Sequence, residues 1–490
     1  MKNNKNKMFA LLIAIIMFSF SLSGCTETKD VAVQPDNAKQ IDVAIQFTDD
    51  DGREIAIDEP CSRIISLYSA HTENLFELGA GNLIIGVHDT SIYPPETQKI
   101  PIYDYTDDPE KIIAADPDLV LIRPFITRKV PDFVEAIENA GITVVSLYPE
   151  KFEDFDDYIE KLSLLTGTEE VAKEKLALFH ENIDDVSSKT KSVIEKQRIF
   201  FEATEANLRT ITEESMAAHA IAFAGGINIA EKAEAVEEGS SIATFGVEKI
   251  LSLADDIDVY VSQRGAMNAG GNLHSIFIRP GFDTIKAIKD KRVYILNEKI
   301  ISSPTFRFYK GVRELSRYLY PDVVDNISEY EVDDAADKRD FANIMVRQLH
   351  IPIYITSSSK YYETDTKGHI YGMFSDVTWQ DDDFDYIETC AMGGYIPYKE
   401  DGEQQYFEPD SNVTREMLAQ TIFLTGDFKR TAEATPINDL DQCDNANIVQ
   451  ILVDNGVFSL NQGNFEPGRN VTCNEIIDAL KFVSYTVSDL

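Results

Sequence analysis

Hydrophobic and polar positions follow two alternating periods along residues 52–325. Short runs rich in β-branched residues are separated by segments whose apolar residues recur at helical spacing. This alternation is typical of parallel sheets covered by helices, and it predicts an α/β fold. The predicted strands span residues 63–68, 84–88, 118–122, 143–147, 198–203, 259–263 and 292–296. The predicted helices span residues 72–78, 109–115, 131–140 and 306–319.

A long helical stretch divides this region into two parts. Apolar residues keep roughly helical spacing from residue 153 to 194, with an interruption near Gly167. We therefore expect an N-terminal binding lobe at 52–152 and a C-terminal binding lobe at 195–325, joined by a connecting helix. The expected fold class is two Rossmann-like lobes bridged by one long helix.

The first 25 residues have the pattern of a targeting segment. A cationic start is followed by an uncharged apolar run at residues 8–22, which is short for a membrane span and typical of a signal peptide. The run ends in Leu22-Ser23-Gly24-Cys25, which resembles the bacterial lipoprotein box. That resemblance implies lipidation of Cys25 and removal of residues 1–25. Residues 26–51 are predicted to form a tether, so the protein is expected on the extracytoplasmic face of the membrane.

Composition narrows the possible functions. The chain has 84 acidic and 45 basic residues and a net charge of −39, which argues against nucleic-acid binding. The sequence has no GxSxG, HExxH, Walker A or GxGxxG motif, and its seven histidines show no metal-ligand spacing. We therefore expect neither an enzyme nor a resident metal or cofactor. The sequence leaves open a disulfide within the set Cys390, Cys443 and Cys473.

Several segments resemble the substrate-binding proteins of ABC importers that take up ferric siderophores, haem and vitamin B12. In family order they are RIISLYSAHTE at 63–73, LGAG at 78–81, IGVHDTSIYPP at 85–95, EKI and DPDLV within 110–120, and VYI, PTFRF and YP within 293–321. The resemblance implies a ligand held in a cleft between two lobes. It also implies an ABC permease and its ATPase as partners.

The resemblance also implies which side chains face the cleft, because the loops after the strands surround the ligand. The expected ligand-binding residues are Tyr68, His88, Tyr103, Tyr105, Arg123, Arg209, Arg264, Met267 and Arg307, with His71, Arg128, Met216 and Asn268 on the same loops. Arginines bind carboxylates and other anionic oxygens, and tyrosines offer flat apolar faces. We therefore expect an anionic, siderophore-type ferric chelate.

Two other cargoes remain as alternatives. The vitamin B12-binding member of the family brackets its corrinoid with aromatic side chains, whereas Thr90 and Arg123 stand at those positions here, which favours the iron chelate. Haem is the other alternative, because methionine, histidine and tyrosine can all ligate haem iron. The candidate iron ligands are Met216, Met267, His71 and His88.

One glutamate in each lobe has the same context. Glu110 and Glu248 each open a short helix that leads into a strand, and they match the family's permease-docking positions. Docking onto the permease is the role that the resemblance implies. The simpler interpretation is that both are favourable charges at a helix N-terminus.

The last part of the chain contains an internal repeat. FEPDSNVT at residues 407–414 recurs as FEPGRNVT at 465–472, and the surrounding pattern resembles S-layer homology repeats. We expect a truncated repeat and linker at 326–373 and two repeats at 374–490. The resemblance implies binding of secondary cell-wall polysaccharide in a Gram-positive envelope, with Arg415 as the basic contact. The alternatives are a module that only packs against the lobes and, for the whole chain, an envelope adhesion protein.

Overall fold

The computed structural model describes residues 45–269, 272–324, 334–353, 371–372 and 374–483. The predicted signal peptide, the lipidation site Cys25 and most of the predicted tether lie outside the described residues. Within the described ranges, no helix has both the length and the apolar character that a membrane span requires.

The strands and helices follow in chain order. The strands are β1 Ile45–Thr48, β2 Glu54–Ile57, β3 Ile64–Ser66, β4 Ile84–Val87, β5 Leu119–Ile122, β6 Thr143–Ser146, β7 Arg198–Glu202, β8 Thr210–Ile211, β9 Ile227–Asn228, β10 Ile242–Ala243, β11 Val259–Arg264, β12 Val293–Asn297, β13 Lys399–Asp401 and β14 Gln404–Tyr406. The helices are α1 Ser69–Glu77, α2 Pro109–Ile113, α3 Pro124–Lys129, α4 Pro131–Asn139, α5 Phe155–Thr166, α6 Glu169–Thr190, α7 Met216–Phe223, α8 Val247–Ser252, α9 Leu273–Phe277, α10 Lys286–Lys289, α11 Glu298–Ile301, α12 Phe308–Leu319, α13 Pro321–Val324, α14 Lys338–Leu349, α15 Phe384–Gly393, α16 Arg415–Thr425, α17 Ala446–Asp454 and α18 Cys473–Leu480.

Each lobe is built on a four-stranded parallel sheet, and the two sheets have the same topology. The first sheet has the order β4-β3-β5-β6 and the second the order β9-β7-β11-β12. When the strands are counted within each lobe, both orders are 2-1-3-4. The predicted α/β fold is confirmed, and the two lobes are structural repeats of each other.

The central strands are buried because helices cover both faces of each sheet. All four residues of β5 are buried, as are the first five of β11. The connecting region consists of two helices, α5 and α6, which break at Gly167 in a left-handed conformation (φ 67°) that glycine adopts without strain. Helix α6 then packs against α12 of the second lobe.

The predicted tether is wrong for residues 45–51. Strand β1 pairs with β2 in an antiparallel hairpin, and the turn between them is held by the buried Asp49. Its carboxylate accepts hydrogen bonds from the backbone N–H groups of Asp51 (3.0 Å), Arg53 (2.8 Å) and Ser146 (2.9 Å). The acidic run from Asp49 therefore attaches the hairpin to the first sheet instead of forming a solvated linker.

The C-terminal module, which comprises the described residues from 334 onward, contains three equivalent helix starts. Helices α14, α16 and α18 begin after Asp337, Thr414 and Thr472, whose side chains each cap a backbone N–H. The residues before these caps form a closed ring of backbone hydrogen bonds. The ring runs from Ala336 N–H to Val471 O (2.8 Å), from Val471 N–H to Val413 O (3.0 Å) and from Val413 N–H to Ala336 O (2.9 Å).

This module packs against both lobes. On the first lobe, the hydroxyl of Tyr93 donates to the carbonyl oxygen of Trp379 (3.1 Å). On the second lobe, Lys310 Nζ lies 2.6 Å from Asp385 Oδ2, and the Tyr318 ring contacts His350. Buried apolar residues form one continuous core across the lobes and the module. The four described cysteines are free thiols.

Candidate ligand-binding cleft

Four side chains follow the ends of the four strands of the first sheet. Tyr68, His88, Arg123 and Tyr148 come one or two residues after β3, β4, β5 and β6, respectively. Carboxyl ends of parallel strands meet at one edge of a sheet, and ligands of open α/β sheets bind along that edge. The sequence predicted the first three of these residues and missed Tyr148.

A cavity lies between the two lobes at this edge. It is small, with about 10 Å³ open to the centre of a water-sized sphere, which is room for about one water molecule. Tyr148 and Glu150 line it from the first lobe, whereas the second lobe contributes Ile211, Ser215, Met216, Ala217, Ser241, Ile242, Met267 and Ser302. The cavity therefore has the interlobe position that the resemblance implied.

Arg123 is held between two aromatic rings. Its guanidinium carbon lies 4.8 Å from the centre of the Tyr68 ring and 4.9 Å from the centre of the Phe125 ring. The Tyr68 ring in turn contacts Tyr148 on the cavity wall, at 6.1 Å between ring centres. Arg123 is half-buried, and no described carboxylate lies within 4.0 Å of its guanidinium. The rings thus orient a cation whose N–H groups remain available for an anionic ligand.

Lys299 is a second cation without an anionic partner, and sequence reasoning missed it. Its side chain is only 8% exposed, and its ammonium donates to Ser69 Oγ at 2.8 Å. Burial lowers the pKa of Lys299. The positive charges of Arg307 and Arg123 lower this pKa further, whereas the carboxylates of Glu298 and Glu73 raise it. None of the described carboxylates lies within 4.0 Å of its ammonium. Ser69 also opens α1, whose N-terminus has no side-chain cap and adds positive partial charge.

His88 lies in a polar cluster on the same edge of the sheet. Its ring stacks on Tyr105 at 5.6 Å with an interplanar angle of 5°, and its Nδ1 lies 2.8 Å from Thr90 Oγ1. Its Nε2 is 3.3 Å from Asp104 Oδ2, and its Nδ1 is 3.2 Å from Asp89 Oδ1. Burial lowers the pKa of His88 more than these two carboxylates raise it, which favours the neutral imidazole.

Asp104 is anchored by its own turn. Its Oδ1 accepts hydrogen bonds from the Thr106 N–H (2.8 Å) and the Thr106 hydroxyl (2.7 Å). Burial raises the pKa of Asp104, but these hydrogen bonds and the neighbouring His88 lower it below its ordinary value. Tyr103 packs nearby against Gly86, where an added Cβ would lie 2.5 Å from the tyrosine ring. Gly86 thus permits the close approach of this loop to β4.

The predicted residues of the second lobe take less uniform positions. Arg264 is exposed at the end of β11, and Arg209 is half-buried; neither has an ion pair among the described residues. Met267 is 44% exposed and lines the cavity. Asn268 is buried, and its side chain bonds to the backbone of Glu205 and of Gln263, a structural role.

Arg307 does not face the cleft. Its side chain is 2% exposed, and it lies 2.7 Å (Nε) and 2.9 Å (Nη2) from the Glu73 carboxylate and 3.8 Å (Nη1) from Asp385. The prediction of Arg307 as a ligand-binding residue is wrong, because the residue precedes α12 and lies beneath the C-terminal module. Tyr93 covers its guanidinium at 3.5 Å from the ring centre.

His71 is also unavailable as a ligand for haem iron. It is fully buried, with its Nδ1 2.8 Å from Tyr158 Oη and its Nε2 3.0 Å from the Ile122 carbonyl oxygen. Burial lowers the pKa of His71 to about 4. The alternative that assigned it to haem is wrong, since both ring nitrogens already have partners in the core.

The two candidate docking glutamates occupy equivalent positions. Glu110 is the second residue of α2 and Glu248 the second residue of α8, and both are exposed. Each helix precedes the third strand of its lobe, β5 or β11. The internal repeat of the lobes therefore presents one carboxylate on each half.

Arg415, the candidate glycan contact, is mostly buried. It is 8% exposed, its guanidinium donates to the Ser459 carbonyl oxygen, and Glu475 lies 3.5 Å away. The rings of Phe458 and Phe465 lie 5.2 and 5.0 Å from its guanidinium. These contacts give Arg415 a role in packing the module and leave little of it exposed to a polysaccharide.

Two lobes with equivalent parallel sheets and a helical connection, with a small cavity between them, define a two-lobed α/β protein. Residues 64–300 match the family model for periplasmic binding proteins. The two-lobed region is therefore similar to periplasmic binding proteins over these residues.

The chain is similar to several named proteins and covers most of the length of each. It is 26% identical, over 330 residues, to an uncharacterized ABC transporter substrate-binding lipoprotein, YvrC, of Bacillus subtilis, covering 66% of this chain and 99% of the relative. It is 24% identical, over 262 residues, to the vitamin B12-binding protein of Vibrio cholerae, covering 53% of this chain and 90% of the relative. Among solved structures, the apo form of the periplasmic haem-binding protein RhuT from Roseiflexus has 22% identity and a TM-score of 0.47, over 53% of this chain and 98% of that one.

Proposed function

We propose that this protein is the substrate-binding component of an ABC importer and that it captures an anionic, siderophore-type ferric chelate between its lobes. The family model that matches the two-lobed region and the names of its relatives support the transport role. The observation that favours an anionic cargo is the pair of cations, Arg123 and Lys299, neither of which has an anionic partner within 4.0 Å among the described residues.

The electrostatics of these two residues favour an anion strongly. Burying an ammonium costs free energy unless a counter-charge or hydrogen bonds compensate for it, yet Lys299 has one hydroxyl partner and the positive end of a helix beside it. Arg123 keeps its bidentate donors free. Carboxylates or phenolates of the cargo would supply the missing counter-charge to the Lys299 ammonium and the Arg123 guanidinium. The rest of the protein, with a net charge of −39, repels anions.

A corrinoid is the second candidate, and the vitamin B12-binding relatives favour it. The cleft has aromatic rings in Tyr68, Tyr148 and Phe125, but the guanidinium of Arg123 lies between two of them. A neutral corrinoid ring leaves that cation without a counter-charge. Haem, with its two carboxylates, suits the cations better, and His88 and Met267 remain as candidate iron ligands.

Delivery and anchoring follow from features outside the cleft. Glu110 and Glu248 dock onto the permease, one from each lobe, and a lipid on Cys25 holds the protein at the extracytoplasmic face of the membrane. The C-terminal module adds a contact to cell-wall polysaccharide in a Gram-positive envelope. If the cleft binds no small molecule, the module makes the chain an adhesion protein instead.

Titration of the full chain with ferric chelates, haem and cobalamin, followed by tyrosine fluorescence, tests the cargo. Trp379 lies in the C-terminal module, so the signal from the cleft comes mainly from tyrosine or from quenching by the coloured ligand. We expect saturable quenching by an anionic ferric chelate and not by cobalamin. Saturation by cobalamin alone would identify a corrinoid as the cargo and leave the transport role unchanged. Absence of binding, together with retention of the protein on cell-wall polysaccharide, would favour adhesion.

A further inference from the structure

We infer that His88, Asp89 and Asp104 form a metal-coordinating site on the cleft face of the first lobe. The site binds a first-row transition metal ion whose coordination shell still has unfilled positions. The inference deepens the proposed function and rests on it in one respect, namely that the ion arrives as the metal centre of the cargo.

The three side chains have the geometry of a coordination site. Each offers one ligand atom, and these atoms lie within 4.8 Å of one another. Donor atoms about 2.1 Å from a common ion lie roughly 3 to 4.2 Å apart, so small rotations of the side chains are enough. One imidazole and two carboxylates suit iron and other first-row metals.

The supporting contacts position the ligand atoms before any ion arrives. Thr106 binds Oδ1 of Asp104 with two hydrogen bonds and leaves Oδ2 directed at His88. Tyr105 fixes the plane of the imidazole by stacking. The Nδ1 of His88 lies 2.8 Å from Thr90 Oγ1 and accepts a hydrogen bond from the Thr90 N–H (3.3 Å), so Thr90 helps to hold the ring in place. Such outer hydrogen bonds orient the ligands of known metal sites.

The buried Nε2 of His88 is a second observation that favours a cation at this site. It has no hydrogen-bond partner among the described residues, although Asp104 Oδ2 is only 3.3 Å away. A metal ion placed between Nε2 and Oδ2 would take the place of the ring proton and bind both atoms.

The surroundings suit a metal that carries anionic ligands of its own. Asp89 and Asp104 keep 40% and 34% of their side chains exposed, so a bound ion would remain accessible to further ligands. The positive charges of Arg123 and Lys299 are close enough to influence His88. The imidazole and carboxylates contact the metal, while the two cations contact the acidic groups of the chelator. Sequence reasoning missed this site because its ligands come from two loops that only the fold brings together.

Metal binding by the full chain tests the inference with two probes. Co²⁺ alone reports protein coordination through its visible absorption, and ferric nitrilotriacetate, which leaves two positions of the iron open, reports capture of a partly chelated ion. The variants are H88Q and D104N; the second keeps an oxygen that accepts the Thr106 hydrogen bonds. The matched control is H180Q, because His180 pairs with Asp156 on the surface of α6 (2.9 Å).

We expect the wild type and H180Q to saturate with one equivalent of at least one probe, and H88Q and D104N to bind it at least about tenfold more weakly. A signal with Co²⁺ alone assigns the site to a free ion, and a signal with the ferric complex assigns it to the cargo. Equal binding by D104N, confirmed to be folded by circular dichroism, would overturn the inference. Wild type that binds a ferric siderophore but neither probe would overturn it while leaving the proposed function intact, and wild type that binds none of them would overturn both.

Discussion

Arg307 joins three parts of the molecule, and its removal tests how they are held together. The residue stands at the start of α12 in the second lobe, Glu73 lies on α1 in the first lobe, and Asp385 lies on α15 in the C-terminal module. All three side chains are buried. Arg307→Ala therefore removes one cation from a buried network that spans the lobes and the module.

The expected loss of unfolding free energy depends on which carboxylate loses its partner. Asp385 keeps Lys310 at 2.6 Å, but Glu73 has no other cation within 4.0 Å among the described residues. Breaking a buried ion pair by removing one partner costs about 3 to 5 kcal/mol, because it leaves an uncompensated buried charge. We expect Arg307→Ala to lower the free energy of unfolding by that amount.

Urea denaturation followed by the fluorescence of Trp379 measures this loss at the right place. The indole contacts Tyr93 and Phe76 of the first lobe, so its emission reports separation of the module from that lobe. Arg313→Ala is the matched control on the same helix. Among the described residues, Arg313 hydrogen-bonds only to the uncharged Asn182 (3.0 Å), and loss of this bond costs about 1 kcal/mol. Equal destabilisation by the two substitutions would refute the reasoning.

Three further predictions concern packing, pH and delivery. Gly311→Ala on α12 is expected to destabilise the protein by about 1 to 3 kcal/mol in thermal unfolding, because a Cβ there would lie 2.0 Å from a carbonyl oxygen of α11; Gly468→Ala, with open space around it, is the control. The folded pKa of His71 is about 4, below its ordinary value, so the unfolded chain binds a proton more readily. Unfolding free energy is therefore expected to fall by about 3 kcal/mol as pH drops from 6.5 to 4, and a drop equally large in His71→Gln would contradict this. Glu110→Arg together with Glu248→Arg is expected to abolish uptake into cells while leaving ligand affinity unchanged in titration; normal uptake would exclude docking through these residues.

The repeating α/β pattern was sufficient to predict the fold and several side chains that stand at the carboxyl ends of its strands. Tyr68, His88 and Arg123 were predictable because each directly follows an apolar strand, and parallel strands bring their carboxyl ends together. Lys299 was not predictable, because in the sequence it is one of many lysines at the start of a helix. Its burial against Ser69 of the other lobe depends on the fold. The error at Arg307 has the same physical origin, since its burial depends on a module far away in the sequence.

The affinity of Arg123→Met for the preferred ferric chelate tests the central claim most directly. Arg63→Met is the matched control, because Arg63 precedes β3 at the opposite edge of the same sheet and bonds to the carbonyl oxygens of Asp116 and Ala115. A hydrogen bond to a charged group contributes about 1.5 to 3 kcal/mol, which corresponds to about a 10- to 100-fold weaker Kd for Arg123→Met. An unchanged Kd in Arg123→Met would contradict capture of an anionic cargo in this cleft.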